Sequence, residues 1–209
     1  MRRVPIRSPI RVLRCGLLLL RLSLVCRSRP ARLQNLKSCP IDDRTWNDES
    51  RSLFLRLLAS GPALLQVWEE IDFVDIPGRL IPEWLAIRNR PSASAAHRYT
   101  IDRHSVEVVT RLGRETPRGN RYDDRHYQAL LLAGILHDVG KRPGVADHAA
   151  EGARHASMVL KRMGFDRDII WWVTLLVREH LTLSEFATGQ NPNDPNVGDE
   201  LASRLDHDP

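Results

Sequence analysis

The chain has 209 residues, 42% hydrophobic and 27% charged. These are the proportions of an ordinary globular protein, and they exclude a wholly disordered chain, a collagen and a disulfide scaffold. The formal net charge of +5 is unevenly spread: residues 1–41 hold ten of the 31 Lys/Arg and none of the 26 Asp/Glu, which leaves 21 basic and 26 acidic residues, a net −5, for residues 42–209.

The basic balance therefore belongs to the N-terminal fifth alone, and the remainder gives no reason to expect a specific nucleic-acid partner. Cys15, Cys26 and Cys39 also lie in that segment, whereas all eight histidines lie beyond it. With no cysteine after residue 41, a disulfide-stapled core is excluded and a reducing, cytoplasmic setting is expected. The apolar run at 16–20 is bounded by Arg14 and Arg21. That is too short for a signal peptide or a membrane span, so none is expected. Prolines 5, 9, 30 and 40 and the clustered arginines mark residues 1–41 as a basic leader, disordered or foreign to the fold, with the domain over 42–209.

From residue 42 the apolar spacing is helical. Asp48 is expected to cap a helix through Leu58, with Gly61 stopping it. A second helix is expected over 62–72, a turn-rich connection from Asp75 to Pro82, and a short helix opened by Pro82-Glu-Trp-Leu. Thr100 caps a helix expected to run to about Glu115, with Val106, Val109 and Leu112 inward. After a loop over 113–123, Asp123 or Asp124 starts a helix whose middle, Ala129 to Leu136, is apolar all round. Such a helix is buried on every side. Gly140-Lys-Arg-Pro-Gly144 ends it. Helices follow over His148–Met163, stopped by Gly164, and from Ile169 to about His180, started by Asp166 or Asp168. A loop is expected over 187–196 and a weak helix over 197–205. No strand is expected: the domain reads as an all-α bundle of about six or seven helices.

The polar residues in and beside the buried helices carry the chemistry. His137 and Asp138 directly follow the apolar run, and an ionised carboxylate there is costly unless paired or bound to a metal. The pair offers an imidazole nitrogen and a carboxylate oxygen, which suit Mg²⁺, Mn²⁺, Fe²⁺ or Zn²⁺. His104 sits in the first turns of the preceding helix, His148 opens the following one, and His180 closes the one after that. Four imidazoles and one carboxylate thus stand at helix ends that a bundle can gather at one place. Lys141 either holds a phosphate oxygen or complements the helix dipole. Glu151, one turn past His148, either orients it or is solvated. Trp171 and Trp172 read as core and half-buried surface, and His126, His155 and His207 as non-ligands.

This pattern resembles the HD superfamily of metal-dependent phosphohydrolases. The matching elements are His104, His137-Asp138 with Val-Gly-Lys141, His148 and His180. The stretches Leu80–Pro91, His97–His104, Leu131–Lys141 and Leu176–Ser184 are similar to the HD domain of the bifunctional PII uridylyltransferase/uridylyl-removing family. The resemblance covers about residues 44–208. It implies hydrolysis of a nucleotidyl group from a tyrosine on a PII-type nitrogen-signalling protein, with a divalent cofactor, Mg²⁺ or Mn²⁺ ahead of Fe²⁺ or Zn²⁺.

It further implies that His104, His137 and Asp138 bind a metal, that His148 and His180 bind a second ion or the substrate phosphate, that Asp138 also orients the attacking water, and that Lys141 and His97 contact substrate. The family's transferase and glutamine-sensing ACT domains have no counterpart in the chain. Asp194-Pro195 matches a family loop, but Asp206 and Asp208 follow it too soon to be the family's later aspartate, so a domain truncated before its last ligand is expected. Two competing readings are a non-catalytic fragment of such an enzyme and a small-nucleotide phosphohydrolase of the same superfamily. The stretch Pro82–His104 speaks against the second.

Overall fold

The computed structural model describes residues 9–10, 13–14, 37, 46–92, 98–115, 124–191 and 194–205. Helix α1, Asp48–Leu58, opens with a reciprocal cap: the Asn47 side chain accepts the Ser50 N–H, and the Ser50 hydroxyl accepts the Asn47 N–H. Asp48, expected as the cap, is instead the first helical residue. Helix α2 spans Ala63–Phe73.

The connection expected to be turn-rich contains a one-turn helix, α3 (Ile76–Leu80), and the short helix expected from Pro82 is a 3₁₀ helix, Pro82–Ala86. Pro77 and Pro82 stand in the first turns, where a missing N–H costs nothing. Ile76, Leu80, Ile81 and Trp84 are buried, so this segment is part of the core.

Helix α4 spans Ile101–Glu115, and the Thr100 carbonyl accepts the His104 N–H at its start. Helix α5, Arg125–Leu136, is capped by Asp124, whose carboxylate accepts the His126 and Tyr127 N–H groups. Helix α6 runs His148–Met163 between an Asp147 cap and Gly164 at φ 74°. Helix α7, Arg167–Arg178, is capped by Asp166. It starts two residues before the expected Ile169 and ends at Arg178, which leaves His180 in the turn beyond it. Helix α8, Thr182–Gly189, takes the front of the expected 187–196 loop, and α9 spans Pro195–Leu205. Among the described residues there is no strand, only an isolated bridge between Pro91 and Thr100.

Helix α5 lies at the centre, packed by α4, α7 and α1, while α6 pairs with α7. Its run from Ala129 to Leu136 is buried except Leu130, which is 42% exposed. Trp172 and Ile170 pack onto the same core, and Trp171 lies edge-on to Trp172 at 4.5 Å. Few residues of the basic leader are described; among them, Leu13 is buried in the core and Arg14 pairs with Glu49 on α1.

Candidate metal centre

Three local devices bring the polar residues to one place. The first is a glycine contact. The turn after α5, from His137 to Lys141, lies directly on the start of α6. A Cβ on Gly140 would sit 2.2 Å from the His148 carbonyl oxygen and 2.4 Å from the Gly152 nitrogen, and one on Gly152 would sit 3.2 Å from the His137 carbonyl oxygen. Only glycine permits that approach, which sets the His-Asp turn against the α6 end that carries His148.

The second device pins the start of α4. Asp102, 7% exposed, accepts the Asn89 N–H at 2.9 Å, and the Ile101 N–H reaches the Arg90 carbonyl at 2.9 Å. Asn89 itself adopts φ 54°, a left-handed conformation that Asn tolerates. His104 follows one turn into the anchored helix. The third is the turn after α7, where the Thr182 hydroxyl donates to Glu179 at 2.5 Å and holds the segment that carries His180.

The result is a continuous string of imidazoles. Ring centroids lie 5.2 Å apart for His104 and His137, 5.2 Å for His137 and His180, and 5.5 Å for His180 and His148. Asp138, 1% exposed, sits among them, with Oδ2 3.3 Å from His137 Nε2 and Oδ1 3.6 Å from His180 Nε2. Nδ1 of His137 lies 2.9 Å from the Gly134 carbonyl, and Nδ1 of His180 lies 2.7 Å from the Val177 carbonyl. Each carbonyl takes the Nδ1 side of its ring and turns Nε2 toward Asp138. Two groups of ligand atoms, His104–His137–Asp138 and Asp138–His148–His180, each fall within 4.8 Å of one another and share the aspartate.

The charge states suit a cation. Burial works to raise the Asp138 carboxyl, but the hydrogen bond and charge of His137, then those of Lys141, outweigh it and hold the group far below the usual carboxylate range. Lys141 Nζ donates to Asp138 Oδ2 at 2.8 Å. Burial lowers the pKa of both His180 and His148, and the Lys141 ammonium lowers His148 further. Both rings are therefore neutral at pH 7 and able to ligate.

Asp138 Oδ1, His148 Nε2 and His180 Nε2 are buried without a hydrogen-bond partner. Orphaned buried groups of this kind cost about 1–3 kcal/mol each. A divalent ion coordinated by them removes that cost, and an imidazole-rich set with one carboxylate is the donor chemistry of a divalent transition ion.

His97 lies outside the described residues, as do His207, Asp206 and Asp208. Asp194 caps α9, its carboxylate accepting the Asn196 N–H. Glu151 does not reach for His148: it pairs with Arg154 and, at 2.8 Å, with His155, which is itself buried. His126 stands exposed, edge-on to Trp172. The contribution of Gly140, Gly152 and Asp102 was not legible in the sequence. The doublet of Gly140 with Gly152, twelve residues on in the next helix, was its only trace.

A cleft of about 780 Å³ opens beside Lys141 and His148, and a second cavity of about 520 Å³ meets it at His148 and Leu181. No described helix is long and apolar enough to cross a membrane.

Comparison with known proteins agrees with this geometry. Residues 101–207 match the family model described as HD domain. The chain is 40% identical over 151 residues to the bifunctional uridylyltransferase/uridylyl-removing enzyme of Streptomyces coelicolor, covering 72% of this chain and 17% of that enzyme. It is 35% identical over 164 residues to the enzyme of the same name from Mycobacterium tuberculosis, covering 78% and 20%, and 32% identical over 155 residues to that of Caulobacter vibrioides, covering 69% and 16%. The chain thus spans a fifth or less of the length of these relatives. No solved structure matches it. The family match begins at Ile101, three residues before the first histidine of the cluster, and takes in all five of its side chains: the chain belongs to the HD-domain family of metal-dependent phosphohydrolases.

Proposed function

We propose that this domain hydrolyses the phosphodiester joining a nucleotide to a tyrosine of a PII-type signalling protein. The observation that carries the reading is the shared cluster of four imidazoles and Asp138, with three of its ligand atoms buried and unpartnered. The relatives' name, uridylyl-removing enzyme, supports the choice of leaving group.

In this reading His104, His137 and Asp138 hold one divalent ion, and His148 and His180, sharing Asp138, hold a second ion or the substrate phosphate. The imidazole-rich donor set favours Mn²⁺, Fe²⁺ or Zn²⁺ over Mg²⁺, which prefers oxygen ligands and retains its waters. A bound ion supplies Lewis acidity and lowers the pKa of a coordinated water from 15.7 toward about 7. Asp138, ionised and buried, is the acceptor that orients the attacking water. The Lys141 ammonium, three residues on, exchanges its contact with Asp138 for a non-bridging phosphate oxygen as charge develops there. The backbone carbonyls of Gly134 and Val177 hold His137 and His180 in the ligating tautomer throughout.

The test is release of nucleotide from a uridylylated PII protein, and of nitrophenol from the p-nitrophenyl ester of uridine monophosphate, with and without added Mn²⁺. Mn²⁺-dependent turnover lost in His137→Ala supports the reading. A folded, metal-loaded chain that releases neither product refutes it.

A further inference from the structure

The cleft beside the cluster is lined by Arg90, Lys141 and Arg142 and by the apolar side chains of Ile101, Val145 and Leu181, and among the described residues no carboxylate lines it. The arginines elsewhere in the bundle are mostly neutralised: Arg88 pairs with Asp72, Arg103 with Glu107, Arg162 with Glu83, Arg154 with Glu151 and Arg204 with Glu179. Arg90 and Arg142 form no ion pair among the described residues, and the Nε of Arg142 is buried without a hydrogen-bond partner. Two unpaired guanidinium groups on one apolar cleft, next to an ammonium, point to an anionic ligand with a less polar body.

The volume of about 780 Å³ is that of a small-molecule site, within the range of roughly 300–1,000 Å³. A phosphodiester between a nucleotide and a protein tyrosine has one half of that size, the nucleotide; the other half is a whole protein and must approach from outside. The acceptor-rich edge of a base and the oxygens of a phosphate are both matched by the planar guanidinium fork.

We infer that this cleft binds the nucleotidyl half of the substrate, with Arg142 and Arg90 as the residues that grip it. The inference rests on the phosphodiesterase reading above but is tested apart from it, by binding. Lys141 holds the scissile phosphate, the one anionic group of this half, and the two arginines donate to the acceptor oxygens of the base and the ribose. The apolar wall from Ile101 to Leu181 covers the face of the base.

The experiment is calorimetric titration of the whole chain, in Mn²⁺, with uridine 5′-monophosphate and with phenyl phosphate. Arg142→Gln and Arg90→Gln, each checked for an unchanged melting curve, are compared with the wild type, and Arg142→Lys serves as the conservative variant. The expected result is uridine monophosphate binding that weakens about tenfold in each glutamine variant and partly recovers in Arg142→Lys, the scale of a lost charge-assisted hydrogen bond. Phenyl phosphate binding should change less than twofold. The inference is overturned if the wild type does not bind uridine monophosphate, if the glutamine variants bind it as well as the wild type, or if phenyl phosphate binding falls by the same factor. The phosphodiesterase reading fails on a different result, the absence of metal-dependent turnover in the wild type.

Discussion

Gly140→Ala puts the assembly of the metal centre to the sharpest test. The added Cβ would lie 2.2 Å from the His148 carbonyl oxygen, 2.4 Å from the Gly152 nitrogen and 2.8 Å from the Gly152 Cα, where ordinary contacts start at 3.4 Å. Each obstacle is backbone, so no side chain can swing away. Relief requires the His-Asp turn and the start of α6 to separate by about 1 Å, the difference between 2.2 and 3.4 Å. Overpacking of this kind costs about 3 kcal/mol. For a domain of this size that is a fall of roughly 6–12 °C in Tm.

The displacement also moves His148 from Asp138, so Mn²⁺ affinity should fall by at least about tenfold, the lower end for disturbed support of a metal ligand. Thermal unfolding with and without Mn²⁺, together with calorimetric titration of the metal, reads both effects. Gly144→Ala is the control. Gly144 has φ 79° but nothing within 4 Å of a built Cβ, so it should lose only about 1 kcal/mol of backbone strain and keep its metal affinity. A Gly140→Ala protein with unchanged Tm and unchanged Mn²⁺ affinity would refute the close approach of turn and helix.

Metal addition should itself stabilise the fold: at a hundred times its Kd, Mn²⁺ adds about 2.7 kcal/mol, a rise of several degrees that a chelator reverses and His180→Ala abolishes. Failure of Tm to respond to Mn²⁺, Fe²⁺ and Zn²⁺ alike would count against a metal centre. Burial works to raise the Glu83 carboxyl, but its bidentate pair with Arg162, at 2.6 and 3.0 Å, outweighs this and lowers it. The stability this pair contributes is therefore present above the unfolded carboxyl value near 4.5 and lost as pH falls through the lower folded value. Glu83→Gln should cost roughly 1–2 kcal/mol at pH 7, and the difference from wild type in urea unfolding should shrink toward zero as pH falls below the ordinary carboxylate range; a difference independent of pH would rule out the charged pair. Gly198→Ala, in α9 with open space around a built Cβ and no positive φ, should raise stability by about 0.5–1 kcal/mol, and a lower Tm would show that α9 is not helical there.

The helical fold was legible because its signals are local. Asp124, Asp147 and Asp166 each precede an apolar-periodic run and each caps a helix, and Gly164 ends one with the left-handed φ expected of it. The one-turn helix α3 inside the turn-rich stretch 75–82 was missed for a physical reason: its prolines and aspartate signal turns, while the burial of Ile76, Leu80 and Ile81 depends on partners far away in the chain. Of the two roles open to Glu151, orienting His148 is not the one it takes. Its spacing from His148 put both on neighbouring turns, but Arg154 and His155, three and four residues on, offer it stronger hydrogen-bond partners.

Residue identity and spacing alone were enough to mark an all-α chain with His104, His137-Asp138, His148 and His180 at helix ends, since caps, periodicity and an uninterrupted apolar run act over one or two turns. Whether those ends meet depends on contacts between residues distant in sequence. The Gly134 and Val177 carbonyls that orient His137 and His180 are local, three residues back, but the Gly140–Gly152 approach exists only once α5 and α6 have packed, and the spacing between the four rings only once α4, α5, α6 and α7 have. Tertiary structure alone therefore decided that one buried carboxylate is shared by four imidazoles, and that Arg90 and Arg142, unpaired among the described residues, line a cleft beside it, because packing sets the distances on which ligation and charge recognition depend.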